Sequence, residues 1–196
     1  QNKAKFIFFS SSEIYGDPDK FNLPTKETYR GNVNSLGPRA CYDESKRVGE
    51  TLCYIYNNYY GVHTNIIRPF NVYGPGMNQK DYRIFPNFVD SILNRKKINI
   101  YGSGNQTRTY CYVTDAIEGF LRVIEYGKSG EVYNIGSSKP EISVKNIYRI
   151  FKKIHDKKIE AKFISHPKSY PNDEPQRRNP DIRKAKNDLN YIPKVS

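Results

Sequence analysis

Apolar residues fall in short runs and in one-sided stripes, and the two kinds alternate along the chain. Lys5–Phe9, Thr64–Arg68, Ile98–Tyr101, Val132–Ile135 and Ala161–Ile164 have the length and the β-branched or aromatic content of strands. Stripes at spacings of three and four predict helices over Arg39–Tyr60, Phe85–Arg95, Thr114–Tyr126 and Ser143–His155, with a short helix over Asp181–Leu189. Val48, Leu52, Ile55 and Tyr56 set the stripe of the longest. Gly16–Gly37 and the Gly/Pro-rich Asn71–Tyr82 read as loops, and Tyr110–Val113 as a lead into the third helix. Strands alternating with helices argue for an α/β fold with a parallel sheet. Ligands of such sheets sit beyond the carboxyl ends of strands, where Ser11–Glu13 and Phe70–Asn71 fall.

Composition changes this picture in one respect. A hydrophobic fraction of 37% and a mean hydropathy of −0.78 are low for a doubly wound sheet standing alone. They suit a piece whose most apolar strands lie elsewhere, with 17 tyrosines available to pack against other segments. The net charge of +12 is spread in small clusters, Lys96-Lys97, Lys152-Lys153, Lys157-Lys158 and Arg177-Arg178, without a nucleic-acid-binding motif. That is a solvated basic surface beside an anion-binding pocket, and no nucleic-acid partner is expected. Three cysteines without C-x-x-C spacing and three scattered histidines (His63, His155, His166) give neither a disulfide framework nor a metal site. No apolar stretch has the length of a membrane helix.

Candidate chemistry gathers at two places. The run KFIFF ends in Ser10, Ser11, Ser12 and Glu13, and the long helix opens with Pro38 and places Tyr42 and Lys46 one turn apart on one face. A cation there favours the phenolate, and a phenolate can take the proton of an alcohol that loses a hydride. In a chain this rich in Tyr and Lys the spacing itself arises by chance about once or twice. Tyr148 and Lys152 repeat it and read as a solvated helix face. Only Tyr42 follows a strand ending in Ser-Ser-Ser-Glu.

SSSEIYG, GPRACYDESKR, RPFNVYGPGM, YGSGNQTRTYCYV and RRNPDIRKA, in this order, resemble the extended short-chain dehydrogenase/reductase family, and within it the UDP-glucuronate decarboxylases. The resemblance spans nearly the whole chain. It implies part of a Rossmann-type doubly wound parallel sheet over residues 1–70, and over 71–196 mostly a small α/β nucleotide-sugar-binding domain interleaved with the last Rossmann elements. The G-x-x-G-x-x-G turn that holds the NAD pyrophosphate in this family is not in the sequence, which begins at Gln1. The expectation is a C-terminal portion lacking roughly a hundred residues, which by itself would not bind NAD normally.

By the resemblance, Ser11 hydrogen-bonds the substrate hydroxyl, Tyr42 is the base at the sugar C4 hydroxyl, and Lys46 steadies the phenolate and the nicotinamide ribose. Ser10 and Phe70 would complete the NAD site. Ser12-Glu13 stands where 4,6-dehydratases carry Asp-Glu, so water elimination is disfavoured and decarboxylation favoured. Arg178 in RRNPDI matches the arginine implicated in binding the substrate carboxylate, with Arg177 one residue away as the alternative. Asn71, Arg83, Asn87, Tyr101 and Arg108 would take the UDP-sugar, guanidinium groups suiting a diphosphate. Asp115 reads as an N-terminal helix carboxylate rather than a catalyst. The resemblance implies a homodimer, and a cytoplasmic site or, with an upstream anchor, the Golgi lumen. A related NAD-dependent dehydratase or epimerase, acting on a UDP- or dTDP-sugar, and a non-catalytic sugar-nucleotide-binding fragment stay open at this point.

Overall fold

The computed structural model describes residues 4–79, 81, 83–155, 159–165 and 175–195. Lys157, Lys158, His166 and the loop end at Tyr82 lie outside the described residues. In chain order the elements are β1 (Phe6–Phe9), α1 (Ala40–Tyr60), β2 (Thr64–Pro69), β3 (Val72–Tyr73), α2 (Ile84–Leu93), β4 (Ile98–Tyr101), β5 (Thr107–Arg108) and β6 (Cys111–Tyr112). They continue with α3 (Val113–Tyr126), β7 (Val132–Ile135), β8 (Ile142–Ser143), α4 (Val144–Ile154), β9 (Ala161–Ile164), β10 (Arg177–Arg178) and α5 (Arg183–Leu189). The five runs read as strands are strands, and the five stripes are helices. Five two-residue strands, β3, β5, β6, β8 and β10, were not foreseen.

The main sheet is parallel in the order β1-β2-β7. β2 lies in its middle and is buried from Thr64 through Arg68, which a parallel strand covered on both faces requires. Ile67, Tyr133 and Ile135 of the sheet pack with Val123 of α3 and with Ala185, Leu189 and Tyr191 at the chain's end. α1 lies against β1 through Gly49, where an added Cβ would stand 2.1 Å from the Phe8 ring. β1 has β2 on one side and, among the described residues, no strand on the other, and Phe6 and Phe9 are exposed.

A second core gathers Phe88, Ile98, Ile100 and Ile147, closed by α2, α4 and the parallel pair β4-β9. Between the cores runs a small ribbon in the order β10-β5-β8. The stripe of α1 is amphipathic as read, but Val48, Leu52 and Tyr56 face outward; Cys53 and Asp43 are the buried residues of this helix.

Charge is buried at the centre. Arg68 donates to both carboxylate oxygens of Glu50 at 2.8 and 2.6 Å, to the Tyr15 hydroxyl at 2.6 Å and to the Glu27 carbonyl at 2.9 Å. The Tyr15 hydroxyl in turn donates to Asn134 Oδ1 at 2.8 Å, and the Asn134 amide to Glu27 Oε1 at 2.9 Å. Burial raises the pKa of Tyr15 and of Glu27, so the phenol stays protonated as a donor. This network ties α1, β2, β7 and the turn after β1 into one rigid corner.

Candidate functional site

The corner begins where β1 runs out. Ser10 continues the ladder through its amide to the Ile67 carbonyl at 2.8 Å, and its buried Oγ has no hydrogen-bond partner among the described residues. Ser11 is extended, and its Oγ accepts from the Glu13 amide at 3.2 Å, capping a single 3-10 turn over Ser12–Tyr15. Gly16 closes that turn at φ 60°, with Asn32 so near that a Cβ would lie 1.8 Å from its carbonyl oxygen. The turn sends Ser12 inward, 3% exposed, and Glu13 toward a groove also lined by Arg39 and Asp43.

Helix α1 brings the Tyr-Lys pair to the same place. Lys46 Nζ donates to the carbonyl of Phe9, the last residue of β1, at 3.0 Å and stands 5.6 Å from the centre of the Tyr42 ring. Tyr42 itself is half-exposed. Three residues earlier, Arg39 forms an ion pair and hydrogen bond with Glu13 Oε2.

The third contributor arrives from far along the chain. Arg178 is 4% exposed and lies 3.1 Å from Glu13 Oε1, donating also to Glu13 Oε2 and Ser12 Oγ at 3.2 Å and to the Gly16 carbonyl at 3.3 Å. Arg177 points the other way and pairs with Glu141 at 2.7 Å. Successive residues of a strand face opposite sides, so one arginine of β10 enters the corner and the other leaves it. Of the two candidates it is Arg178 that meets Ser12 and Glu13.

The five residues read for the nucleotide-sugar come together elsewhere. Asn71, Arg83, Asn87, Tyr101 and Arg108 all line one cleft of about 170 Å³. Its aromatic wall is the stacked pair Tyr73–Phe85, centroids 4.2 Å apart, with Tyr110 edge-on to both. Asn71 takes a positive φ of 42°, tolerated by Asn, and donates to the Thr109 carbonyl at 2.9 Å. Asn87 Oδ1 is buried at the cleft without a hydrogen-bond partner among the described residues, an acceptor left for a ligand donor. Arg108 is buried and donates to the backbone carbonyls of Thr107, Gln176 and Pro175 at 2.9, 3.2 and 2.6 Å. Arg83 is largely exposed and paired with Asp81 at 2.5 Å.

A hydroxyl turn, a Tyr-Lys pair and an aromatic cleft share one α/β scaffold, and the comparisons name it. Residues 1–136 match the NAD dependent epimerase/dehydratase family. The chain belongs to this family. UDP-glucuronic acid decarboxylase 1 of Xenopus tropicalis is 42% identical over 192 residues, covering 98% of this chain and 44% of the relative. UDP-glucuronic acid decarboxylase 3 of Arabidopsis thaliana is 40% identical, with 98% and 54% covered. Among solved structures, the UDP-glucuronic acid 4-epimerase of Bacillus cereus, in complex with UDP-glucuronic acid and NAD, superposes with a TM-score of 0.82 at 33% identity, covering 98% of this chain and 57% of that one. The UDP-glucose 4-epimerase of Thermotoga maritima, with UDP-glucose, gives a TM-score of 0.86 at 28% identity, with 98% and 59% covered. The chain spans about half the length of the curated relatives it matches. The fold is the Rossmann-type parallel α/β architecture of the epimerase/dehydratase family.

Within this epimerase/dehydratase scaffold several placements differ from the sequence reading. The Phe70 ring is committed to a small core with Ile14 and Tyr15, which leaves only its backbone for a ligand. Tyr148 is not on a solvated face: it packs on the second core and its hydroxyl donates to the Ile159 carbonyl at 2.8 Å. Asp115 is structural as read; it sits in the first turn of α3 and accepts from the Lys194 and Val195 amides at 2.9 and 2.8 Å. Arg39 was missed, although a cation at the N-cap of a helix opposes the helix dipole and signals a compensating anion. The Arg68–Glu50–Tyr15 network carried no comparable signal, its members being far apart in sequence. No helix among the described residues is long and apolar enough to cross a membrane.

Proposed function

We propose that the chain carries the catalytic and nucleotide-sugar-binding portion of an NAD-dependent UDP-glucuronate decarboxylase that forms UDP-xylose through a 4-keto intermediate. One observation carries the reading: Arg178 is delivered onto Ser12 and Glu13 beside the Tyr42–Lys46 pair. Relatives at about 40% identity bearing that activity support it. For the cofactor, the unpartnered Ser10 Oγ and the Lys46 ammonium, both where β1 ends, fit the nicotinamide end. Ser10, Tyr42, Lys46 and the Phe70 backbone would hold it. Bound there, NAD would supply a reversible hydride acceptor for C4, so no net oxidation would accrue.

The chain's own residues do the rest. Ser11 hydrogen-bonds the C4 hydroxyl, and Tyr42 takes its proton with Lys46 stabilising the phenolate. The C4 ketone makes C6 the carboxylate of a β-keto acid. Arg178 binds that carboxylate. Because the same guanidinium already serves Glu13 and Ser12, it orients the carboxylate without holding it strongly, the condition under which binding does not raise the barrier to losing it. The C5–C6 bond breaks, carbon dioxide leaves, and its electrons become a C4 enolate that takes a proton at C5. Ser12 cannot supply the carboxylic acid that a dehydratase would need.

In the cleft, Asn71, Asn87 and Arg108 bind the UDP portion, Arg83 reaches a phosphate and Tyr101 packs on the base. The exposed stripe of α1 supports a homodimer. A second reading, 4-epimerisation of UDP-glucuronate, is favoured by the Bacillus cereus likeness alone. Proton NMR of the full-length enzyme with UDP-glucuronate and NAD separates them. A UDP-pentose with carbon dioxide supports decarboxylation, and UDP-galacturonate without loss of carbon puts the epimerase first.

A further inference from the structure

The ribbon β10-β5-β8 holds a carboxylate that the proposed chemistry does not use. Glu141 immediately precedes β8, on the far side of β5 from β10. Its Oε1 accepts from Thr107 Oγ1 at 2.5 Å and from Arg177 Nε at 2.7 Å. Its Oε2 accepts from Arg177 Nη2 at 2.7 Å and from Asn179 Nδ2 at 3.3 Å. One side chain thus clasps all three strands, and its partners on β10 and just beyond it are the two residues flanking Arg178. The bidentate Arg177 contact, with help from Thr107 and Asn179, holds the Glu141 carboxyl down to about 2 against the opposing effect of burial.

β10 is two residues long, and its pairing with β5 is bracketed by the Thr107 amide to the Gln176 carbonyl at 3.0 Å and the Thr109 amide to the Arg178 carbonyl at 3.1 Å. So short a strand has little apolar patterning to define which face each residue takes, and a slip of one position would exchange Arg177 and Arg178. We infer that Glu141 is a positioning residue: by clasping Arg177 outward and Asn179 beside it, it fixes the register that turns Arg178 onto Ser12 and Glu13. The inference rests on the reading of Arg178 as the carboxylate-binding group.

The test is kinetic and uses the full-length enzyme. Glu141→Ala lowers the rate of carbon dioxide release about tenfold to a hundredfold, as a misplaced catalytic group does, while KM for UDP-glucuronate changes by less than about twofold. Enzyme-bound NADH, followed by its absorbance in a single turnover, accumulates because C4 oxidation proceeds and the next step lags. Glu141→Gln, which can still accept from Thr107 but lacks the charge that clasps Arg177, falls between Glu141→Ala and the wild type. In the Arg178→Ala background, Glu141→Ala adds nothing further. Wild-type turnover in both Glu141 variants, or losses that multiply with that of Arg178→Ala, overturns the positioning role alone. If Arg178→Ala itself releases carbon dioxide at the wild-type rate, the carboxylate-binding reading falls and the inference with it.

Discussion

The corner at the end of β1 and the cleft beside α2 differ in how their charges are held. In the corner, Arg178 is 4% exposed and clamped by Ser12, Glu13 and the Gly16 carbonyl; in the cleft, the Arg83 side chain is 65% exposed and tied, among the described residues, to Asp81 two residues away. The corner is built from long-range contacts between residues up to 166 positions apart. The cleft mixes the two: Arg108 at its base is held by the distant carbonyls of Gln176 and Pro175, while its wall is aromatic rings and its rim carries the exposed Arg83. A group that must act on one atom of a sugar needs fixed geometry, because small displacements cost rate steeply. A surface that cradles a nucleotide can rely on area and adaptable contacts.

That contrast can be broken by substitution. The largest effect is expected from Tyr42→Phe in the full-length enzyme, which removes the proposed proton acceptor and lowers kcat by about 10²- to 10⁴-fold with little change in KM; an active Tyr42→Phe enzyme would remove the Tyr-Lys pair from the chemistry. Arg178→Ala comes next, at about 10²-fold or more in carbon dioxide release, with C4 oxidation retained. Arg68→Ala leaves the largely covered Glu50 carboxylate without its partner and costs up to about 3 kcal/mol of stability, read from denaturant midpoints. Unchanged midpoints would mean that the corner is rigid for other reasons. Arg83→Ala sharpens the contrast from the other side: an exposed pair is worth about 0–1 kcal/mol, so KM for the nucleotide-sugar rises by at most a few-fold while kcat holds.

The smallest effect is a pH dependence of the ribbon. The Glu141 carboxyl sits near about 2 when folded, against 4.5 for the free group. A depressed folded value stabilises the protein above the unfolded value and is lost as pH falls through the folded one. The Glu141 contribution is therefore complete above pH 4.5 and disappears toward pH 2, and Glu141→Gln should flatten the acid limb of a stability–pH curve over that window.

Much of the fold was legible in the sequence. The runs at Ile98–Tyr101, Val132–Ile135 and Ala161–Ile164 are strands with the same ends, and every stripe is a helix within two residues at each end. Periodicity needs several residues to declare itself, which is why two-residue β3, β5, β6, β8 and β10 stayed hidden. Those are the strands that carry Arg108 and Arg178, so the sequence favoured Arg178 by its motif register, with Arg177 as the alternative, and could not show which way either side chain faces. The five cleft residues were found by residue type within motifs, and they do share a cleft. Arg39 and Glu141 were not found. Each acts through a partner more than twenty residues away, at a distance only the folded chain sets.

The outer edge of β1 has a consequence of its own. A parallel strand with, among the described residues, one side unpaired and Phe6 and Phe9 exposed presents amides and carbonyls in register for another strand to copy. As an isolated polypeptide at high concentration, these residues should therefore associate through β1, and a covering strand supplied from elsewhere should dissolve the aggregates. Solubility would then serve as an assay for coverage of that edge, read by light scattering without any substrate.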